Sequence, residues 1–298
     1  MLSILIPIYN QKVTKLVTEL HAQCHKAKME FEIILFDDYS KPSYREDNRK
    51  LAGIFNVSYL ELSENYGRSK IRNLLAKNAR YEKLLFLDCD SKLNSKKFIK
   101  RYVEVMTKHQ VIYGGRIYPK KAPKAKDKKL HWKYGVKREA MAAKNRTKNP
   151  YLSFQSNNFI ISTKLFLDHK FDDSLDQYGY EDLVLATQLQ NEKISIYHLD
   201  NPIKHAGIEK TQVFMDKQKK AIDNLVSLRA SNKIMYTKLY RAYDKLKRRK
   251  LILLFKKAYT YLEDRVERSL NSENPNLFFL DLWKLNYLIN KSNEIEEL

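Results

Sequence analysis

Four short apolar runs limit what this chain can fold into: Leu2 to Ile8, Phe31 to Phe36, Val57 to Leu62 and Leu84 to Leu87. Each is bounded by polar, turn-forming residues, as a strand buried between two layers is. Between them the apolar residues fall at helical spacing. Val13, Leu16, Val17, Leu20 and Cys24 mark one helical face, and Ile71, Leu74 and Leu75 mark another. Strands alternating with helices are βαβ units, so the class is α/β, with a mostly parallel central sheet flanked by helices. Right-handed crossovers then place those helices.

Parallel strands bring their C-terminal ends to one edge, where open α/β sheets bind ligands. Four polar segments belong to that edge. Ile6-Pro7-Ile8-Tyr9-Asn10 closes the first strand and Asp37-Asp38-Tyr39-Ser40 the second. The segment from Asn65 through Gly67 to Arg72 and Asn73 opens the helix after the third, and Asp88-Cys89-Asp90 closes the fourth. Side chains alternate along an extended chain, so Asp88 and Asp90 project together with Cys89 opposite. A magnesium-like cation is typically held by one or two carboxylates plus substrate phosphates. An isolated D-x-D is more often two solvated acids in a turn; the other three segments, in order, change its weight.

That ordered set resembles the family 2 glycosyltransferases of the GT-A fold, over roughly residues 1 to 210. The resemblance continues in Gln155-Ser156-Asn157-Asn158-Phe159, in Gly179-Tyr180-Glu181-Asp182, and in His205. It implies an inverting transfer of a sugar from a nucleotide diphosphate, most commonly of uridine, to a hydroxyl of a glycan or lipid-linked glycan. It implies a Mn²⁺ or Mg²⁺ ion held by Asp90, Asp88 and His205. Donor contacts would come from Pro7, Tyr9, Asn10, Asp37, Asp38, Asn65, Gly67, Arg72, Asp88, Cys89 and Asp90. Acceptor contacts would come from Asn157, Asn158 and Tyr180. Asp182, beside Glu181, would be the general base that takes the proton of the attacking hydroxyl. Three positions depart from the family pattern: Tyr39 replaces the usual Gly after the Asp pair, Lys41 an expected acid, and Leu183 a second Asp. They bear on donor specificity and remove none of the carboxylates.

Further along, the spacing predicts a helix from Ser95, strands at Val111–Tyr113, Phe159–Ile161 and Ile194–Tyr197, and a helix over Glu181–Asn191. A basic, turn-rich stretch runs to Pro150. From Thr211 to Arg249 the pattern reads as one long, mostly polar helix. The expected organisation is a catalytic domain over 1–210, with a donor half over about 1–115 and an acceptor half over about 116–210. A helical C-terminal extension over 211–298 follows.

The net charge of +21 is concentrated at Lys120 to Lys148 and Lys238 to Lys257. Such patches suit anionic partners. In the extension the basic run abuts Leu251 to Phe255, and Leu277 to Trp283 and Tyr287 to Ile289 add further apolar clusters. This combination fits an anionic membrane surface, with packing on the catalytic domain or in a homodimer as the alternatives. Two cysteines, Cys24 and Cys89, make no disulfide framework, and Leu2–Ile8 is too short for a signal peptide. The expected setting is cytoplasmic, peripheral on the inner face of the membrane. Three other readings compete. The charge raises a non-catalytic polyanion-binding protein on a degenerate transferase scaffold, but no nucleic-acid module accompanies it, so no specific nucleic acid is expected. A sugar nucleotidyltransferase would need a Gly-rich loop after the first strand, where Pro7 to Gln11 has no Gly. A bare scaffold would not need Asp88, Asp90 and Asp182.

Overall fold

The computed structural model describes residues 1–174, 179–231, 233 and 237–296. In chain order come β1 (Leu2–Ile8), α1 (Thr14–Lys26), β2 (Phe31–Asp37), α2 (Pro42–Arg49), β3 (Val57–Glu61), α3 (Gly67–Lys77), β4 (Lys83–Leu87) and β5 (Ser91–Leu93). Then come α4 (Phe98–Val103), β6 (Val111–Tyr113), β7 (Arg116–Ile117), α5 (Lys129–Tyr134), α6 (Ala143–Arg146), β8 (Asn158–Ser162), α7 (Thr163–Asp168) and α8 (Glu181–Asn191). The chain continues through β9 (Ile196–His198), β10 (Ile203–His205), α9 (Thr211–Ala230), α10 (Lys238–Arg248), α11 (Ile252–Leu270) and α12 (Leu277–Glu296).

Two compact units are present. The first comprises Met1–Tyr118, Glu139–Asp176 and Glu181–Gly207. Its main sheet has the order β3-β2-β1-β4-β8-β6-β9. The strands β3, β2, β1 and β4 are parallel, as the βαβ pattern requires, but β8 runs antiparallel to both β4 and β6. Alternation sorts β1 between two layers: Leu2, Ile4, Ile6 and Ile8 pack with Leu16, Val17 and Leu20 of α1 and Phe98 of α4. Leu5 faces the other way, with Phe86, Ile71 and Leu75 of α3 and Leu185 and Leu189 of α8. Burial on both faces is why these strands read as continuous apolar runs.

A second, three-stranded sheet of order β5-β10-β7 has no counterpart in the sequence reading. Its strands are two or three residues long, below what periodicity detects. The strand expected at Ile194–Tyr197 is shifted to Ile196–His198, because Ile194 closes the turn after α8 through its N–H to the Leu189 carbonyl (2.9 Å).

The second unit comprises Pro119–Arg138, Gln177–Tyr180 and Ile208–Leu298. The helix expected from Thr211 to Arg249 is two helices. The side chain of Thr237 accepts the N–H of Tyr240 (3.1 Å) and so caps a new start at α10. Nor is α9 a polar helix, since Phe214, Met215, Ile222, Leu225, Val226 and Leu228 are buried. Leu280, Leu285, Leu288 and Ile289 of α12 are also buried. The apolar clusters of that helix therefore serve a protein core. Among the described residues, no helix is long and apolar enough to cross a membrane.

Candidate active site

The C-terminal ends of β1, β2, β3 and β4 lie along one edge of the first unit's sheet, fixed by the ladders Ile8↔Asp37, Asp37↔Glu61 and Leu5↔Phe86. Asp37 is fully buried there. It accepts the N–H of Ser40 (2.7 Å) and the hydroxyl of Tyr59 (3.3 Å), and faces Arg45 at 3.6 Å. Asp38 accepts the N–H groups of Tyr66 (2.6 Å) and Gly67 (3.0 Å), so it ties the end of β2 to the start of α3. Burial pushes the Asp38 carboxyl up, and those two N–H bonds partly offset it. Asn65 donates to the Asp38 carbonyl (3.0 Å), and Gly67 holds φ +76°, a conformation that favours glycine. Pro7 lies inside β1, whereas Tyr9 and Tyr39 are exposed. Asn10, at φ +49°, donates its N–H to Ser40 (2.8 Å) and accepts that of Lys41 (2.9 Å).

Beyond β4 the chain reaches Asp88, whose two carboxylate oxygens are held by two guanidinium groups. Arg72 donates to Oδ1 at 2.6 Å and Arg116 to Oδ2 at 3.4 Å. Burial alone would raise this carboxyl; the charges of Arg72, Arg68, Arg116 and His205 outweigh it and hold the group down at about 2. Cys89 is pushed up to about 12, chiefly by burial, so it is a neutral thiol at neutral pH. Asp90 is different. Its Oδ1 is buried without a hydrogen-bond partner, while Oδ2 lies 3.2 Å from Nδ1 of His205. The pairing His205↔Ser91 between β10 and β5 brings that histidine to Asp90, and the Ala206 N–H fastens the Asp90 carbonyl (3.0 Å).

At the start of α8, Glu181 is buried and pairs with Arg68 Nε at 2.7 Å. Burial, then the neighbouring Glu181 carboxylate, push the half-buried Asp182 up to about 7, against Arg68, the Leu183 N–H and Arg116. The fields of Arg68 and Arg116 thus act on both Asp88 and Asp182, which places the two carboxyls in one electrostatic neighbourhood. Tyr180, immediately before, holds φ +68° and belongs to the second unit.

Asn158, read from the sequence as an acceptor contact, is fully buried and has no surface to offer. Its side chain accepts the Tyr102 hydroxyl (2.7 Å) and donates to the Gly115 (2.9 Å) and Asn201 (3.0 Å) carbonyls. It is a strut between β8 and the β6–β7 turn. Asn157 is buried as well and keeps its amide nitrogen unpartnered. Sequence reasoning missed Arg116 and Glu139, which pair at 3.0 Å beside Asp88. Arg116 sits on a two-residue strand in a basic stretch and gave no periodic signal. Arg68 lay in plain view within the segment that opens α3.

Gly207 offers a direct test of the Asp90 corner. A Cβ added there would overlap the Asp90 carboxylate, and its backbone carries no glycine-only φ. Gly207→Ala should therefore fold normally yet displace that carboxylate. Nucleotide binding in the presence of Mn²⁺ should weaken, with little change in melting temperature without ligand, as calorimetry on both proteins would reveal.

A largely parallel sheet of this order, with carboxylates gathered at its strand ends and helices on both faces, is the GT-A glycosyltransferase architecture. The family model described as "Glycosyl transferase family 2" matches residues 3–170, and the chain belongs to that family. Over 107 residues it is 32% identical to the chondroitin synthase of Escherichia coli, a match that covers 35% of this chain and 15% of that protein. TarS of S. aureus, residues 1–349, superposes with a TM-score of 0.51 at 21% identity, covering 73% of this chain and 63% of that one. It has also been solved in complex with UDP-GlcNAc. The mannosyltransferase PcManGT of Pyrobaculum calidifontis, in complex with GDP-Man and Mn²⁺, gives a TM-score of 0.55 at 12% identity, covering 99% of this chain and 75% of that one.

Proposed function

We propose that this chain is a metal-dependent, inverting glycosyltransferase that uses a nucleotide-diphosphate sugar, with uridine as the favoured base. The acceptor would be a hydroxyl of a glycan or lipid-linked glycan, met at the inner face of a membrane. The observation that carries the reading is the set of carboxylates along the sheet edge: Asp88 clamped by Arg72 and Arg116, Asp90 beside His205, and Asp182 at the start of α8, a carboxyl raised to about 7. A general base works best with its affinity for protons near the operating pH. In the reaction the acceptor oxygen attacks the anomeric carbon while its proton passes to Asp182. The bond from that carbon to the β-phosphate oxygen breaks, and the nucleoside diphosphate leaves with the electron pair. Attack opposite the leaving group inverts the anomeric centre.

The residues around Asp90 fit a divalent cation. Its buried Oδ1 lacks a donor, His205 adds an imidazole nitrogen, and Gly207 leaves the space clear. Among the described residues no group of three or more His, Cys, Asp or Glu converges, so diphosphate oxygens and water would complete the shell. Such an ion would neutralise the charge that develops on the leaving diphosphate. Asp88, held by Arg72 and Arg116, is better suited to orienting those arginines than to ligation. Asp38 would meet the base or ribose, near the exposed Tyr9 and Tyr39, while Asp37, fully buried, would act by holding the turn at Ser40.

The test is a thermal-shift panel of UDP, GDP, dTDP and CMP, each with and without Mn²⁺ or Mg²⁺, on the native chain and Asp90→Ala. A ligand present at about 100 times its Kd adds about 2.7 kcal/mol to stability. The expected result is stabilisation by UDP that requires the cation and disappears in Asp90→Ala. Stabilisation that survives in the variant removes the metal role, and none with any nucleotide removes the donor reading.

A further inference from the structure

The second unit carries a feature that its own core does not use. One face of α11 packs inward through Phe255, Tyr259, Leu262, Val266 and Leu270. The opposite face begins with Leu253 (82% exposed) and Leu254 (64% exposed) and continues through Ala258 to Tyr261 (80% exposed). Leu254, Ala258 and Tyr261 stand at i, i+4 and i+7, so they form one stripe. Leu251, just before the helix, is exposed too. Isolated exposed leucines are ordinary, but three within four residues, continued by a tyrosine, make a patch.

Basic residues surround this patch. Lys245, Lys247, Arg248, Arg249 and Lys250 are exposed at the end of α10, and Lys257 is exposed among the leucines. The corner between the helices is tight. The Leu251 N–H reaches the Leu246 carbonyl (2.9 Å), the Lys250 N–H reaches that of Lys247 (3.0 Å), and Lys250 holds φ +57°. Glycine is the usual residue at that left-handed position, and here a lysine occupies it. Asp244 is engaged with Arg229 (2.8 Å), and Glu263, Asp264 and Glu267 lie beyond Tyr261.

We infer that the α10–α11 corner is a membrane-docking wedge: Leu251, Leu253, Leu254 and Tyr261 enter the acyl boundary of an anionic bilayer while the Lys245–Lys250 run contacts its headgroups. This deepens the membrane setting proposed above and rests on it, but not on the donor, the metal or Asp182. Exposed leucines beside lysine and arginine match a surface that is anionic outside and apolar beneath. A second copy fits less well, because a two-fold contact through this patch would oppose each basic run to its own image. Nucleic acid would engage the cations and leave the leucines without a role.

The experiment is co-sedimentation of the full chain with vesicles of phosphatidylcholine plus phosphatidylglycerol, and with phosphatidylcholine alone. Two variants accompany it: Leu253→Ser/Leu254→Ser, and Lys247→Gln/Arg248→Gln/Arg249→Gln/Lys250→Gln. All altered side chains are exposed, so both variants should melt as the native chain does without ligand. The expected result is salt-sensitive binding to the anionic vesicles only, weakened roughly tenfold or more by either variant. No binding by the native chain overturns the inference, as does undiminished binding by the leucine variant. A dimer that light scattering detects and the leucine variant abolishes also overturns it, by making a second copy the occupant. Nucleotide thermal shifts on the same samples keep this outcome separate from the donor reading, since vesicle binding without nucleotide binding would defeat only the latter.

Discussion

Replacing Asp182 with Asn should lower glycosyl transfer by roughly two to four orders of magnitude while leaving nucleotide affinity nearly unchanged. Asn keeps the shape of the side chain and the contact with the Leu183 N–H (2.8 Å), but it cannot take a proton from the acceptor. The native enzyme should show the same group in its pH profile. Asp182 must be unprotonated to act as a base, and burial with Glu181 beside it raises its pKa to about 7. Turnover should therefore rise with pH up to about 7, falling about tenfold for each unit below that. The acid limb should vanish from the residual activity of Asp182→Asn; if it persists, the base is elsewhere. Stability supplies an independent check. A carboxyl raised in the fold binds its proton more tightly there than in the unfolded chain. Its contribution to stability is thus fully present in the usual carboxylate range and below, and is lost as pH rises through about 7. Above that pH the Asn variant should be at least as stable as the native protein, and its lost activity could not be assigned to unfolding. Transfer assays from pH 5 to 9, paired with urea titrations, measure both.

The strand-end edge that carries the candidate site was legible in the sequence because both of its signals are local. Leu2–Ile8 and Lys83–Leu87 are buried on both faces, so their composition announces them, and Asp37, Asp38, Asp88 and Asp90 follow within three residues of a strand end. What stayed hidden depends on contacts between distant segments. The resemblance had put His205 with Asp90, but not the pairing of β10 with β5 that joins them, which spans more than a hundred residues through three-residue strands. Arg116 and Glu139 become a clamp beside Asp88 only when the basic stretch folds back. The family resemblance made Asn158 an acceptor contact, yet its bonds with Tyr102, Gly115 and Asn201 make it a core strut. The helix read as continuous from Thr211 failed for another reason: lysine-rich spacing resembles a solvated helix whether or not a cap interrupts it, and Thr237 is that cap.

Arg146→Ala should destabilise the first unit by about 2–5 kcal/mol, the scale for leaving buried acceptors without donors and opening a cavity in a packed core. This arginine is 1% exposed, and nothing in its surroundings is a carboxylate partner at ion-pair distance among the contacts described. Its guanidinium instead gathers main-chain acceptors. It donates to the carbonyls of Met141 (2.5 Å), Leu199 (2.7 Å) and Tyr113 (3.4 Å) and to Nδ1 of His198 (3.2 Å). It also lies over the Tyr113 ring at 4.9 Å. Burial followed by the Arg146 charge lowers His198 to about 4, so that imidazole is neutral and can accept from Arg146 while its Nε2 donates to the Pro150 carbonyl (3.1 Å). Alanine would leave the Met141 carbonyl and one imidazole nitrogen without a donor, the Tyr113 and Leu199 carbonyls keeping only the N–H groups of Leu199 and Asn201 (3.0 Å each), and would open a cavity against Gly115, whose missing side chain leaves room for the guanidinium. Arg146→Lys should lose less, since a single ammonium can reach only some of those acceptors. The effect should extend to the site, because Gly115 immediately precedes Arg116, one of the two clamps on Asp88. The urea midpoint should fall in the order native, Lys, Ala, and UDP affinity at a temperature where all three are folded should follow the same order. An unchanged midpoint in Arg146→Ala would mean that water satisfies these acceptors as well as the arginine does, and that the bonds from Asn158, Asn201 and Ile203 suffice to hold the turn bearing Arg116.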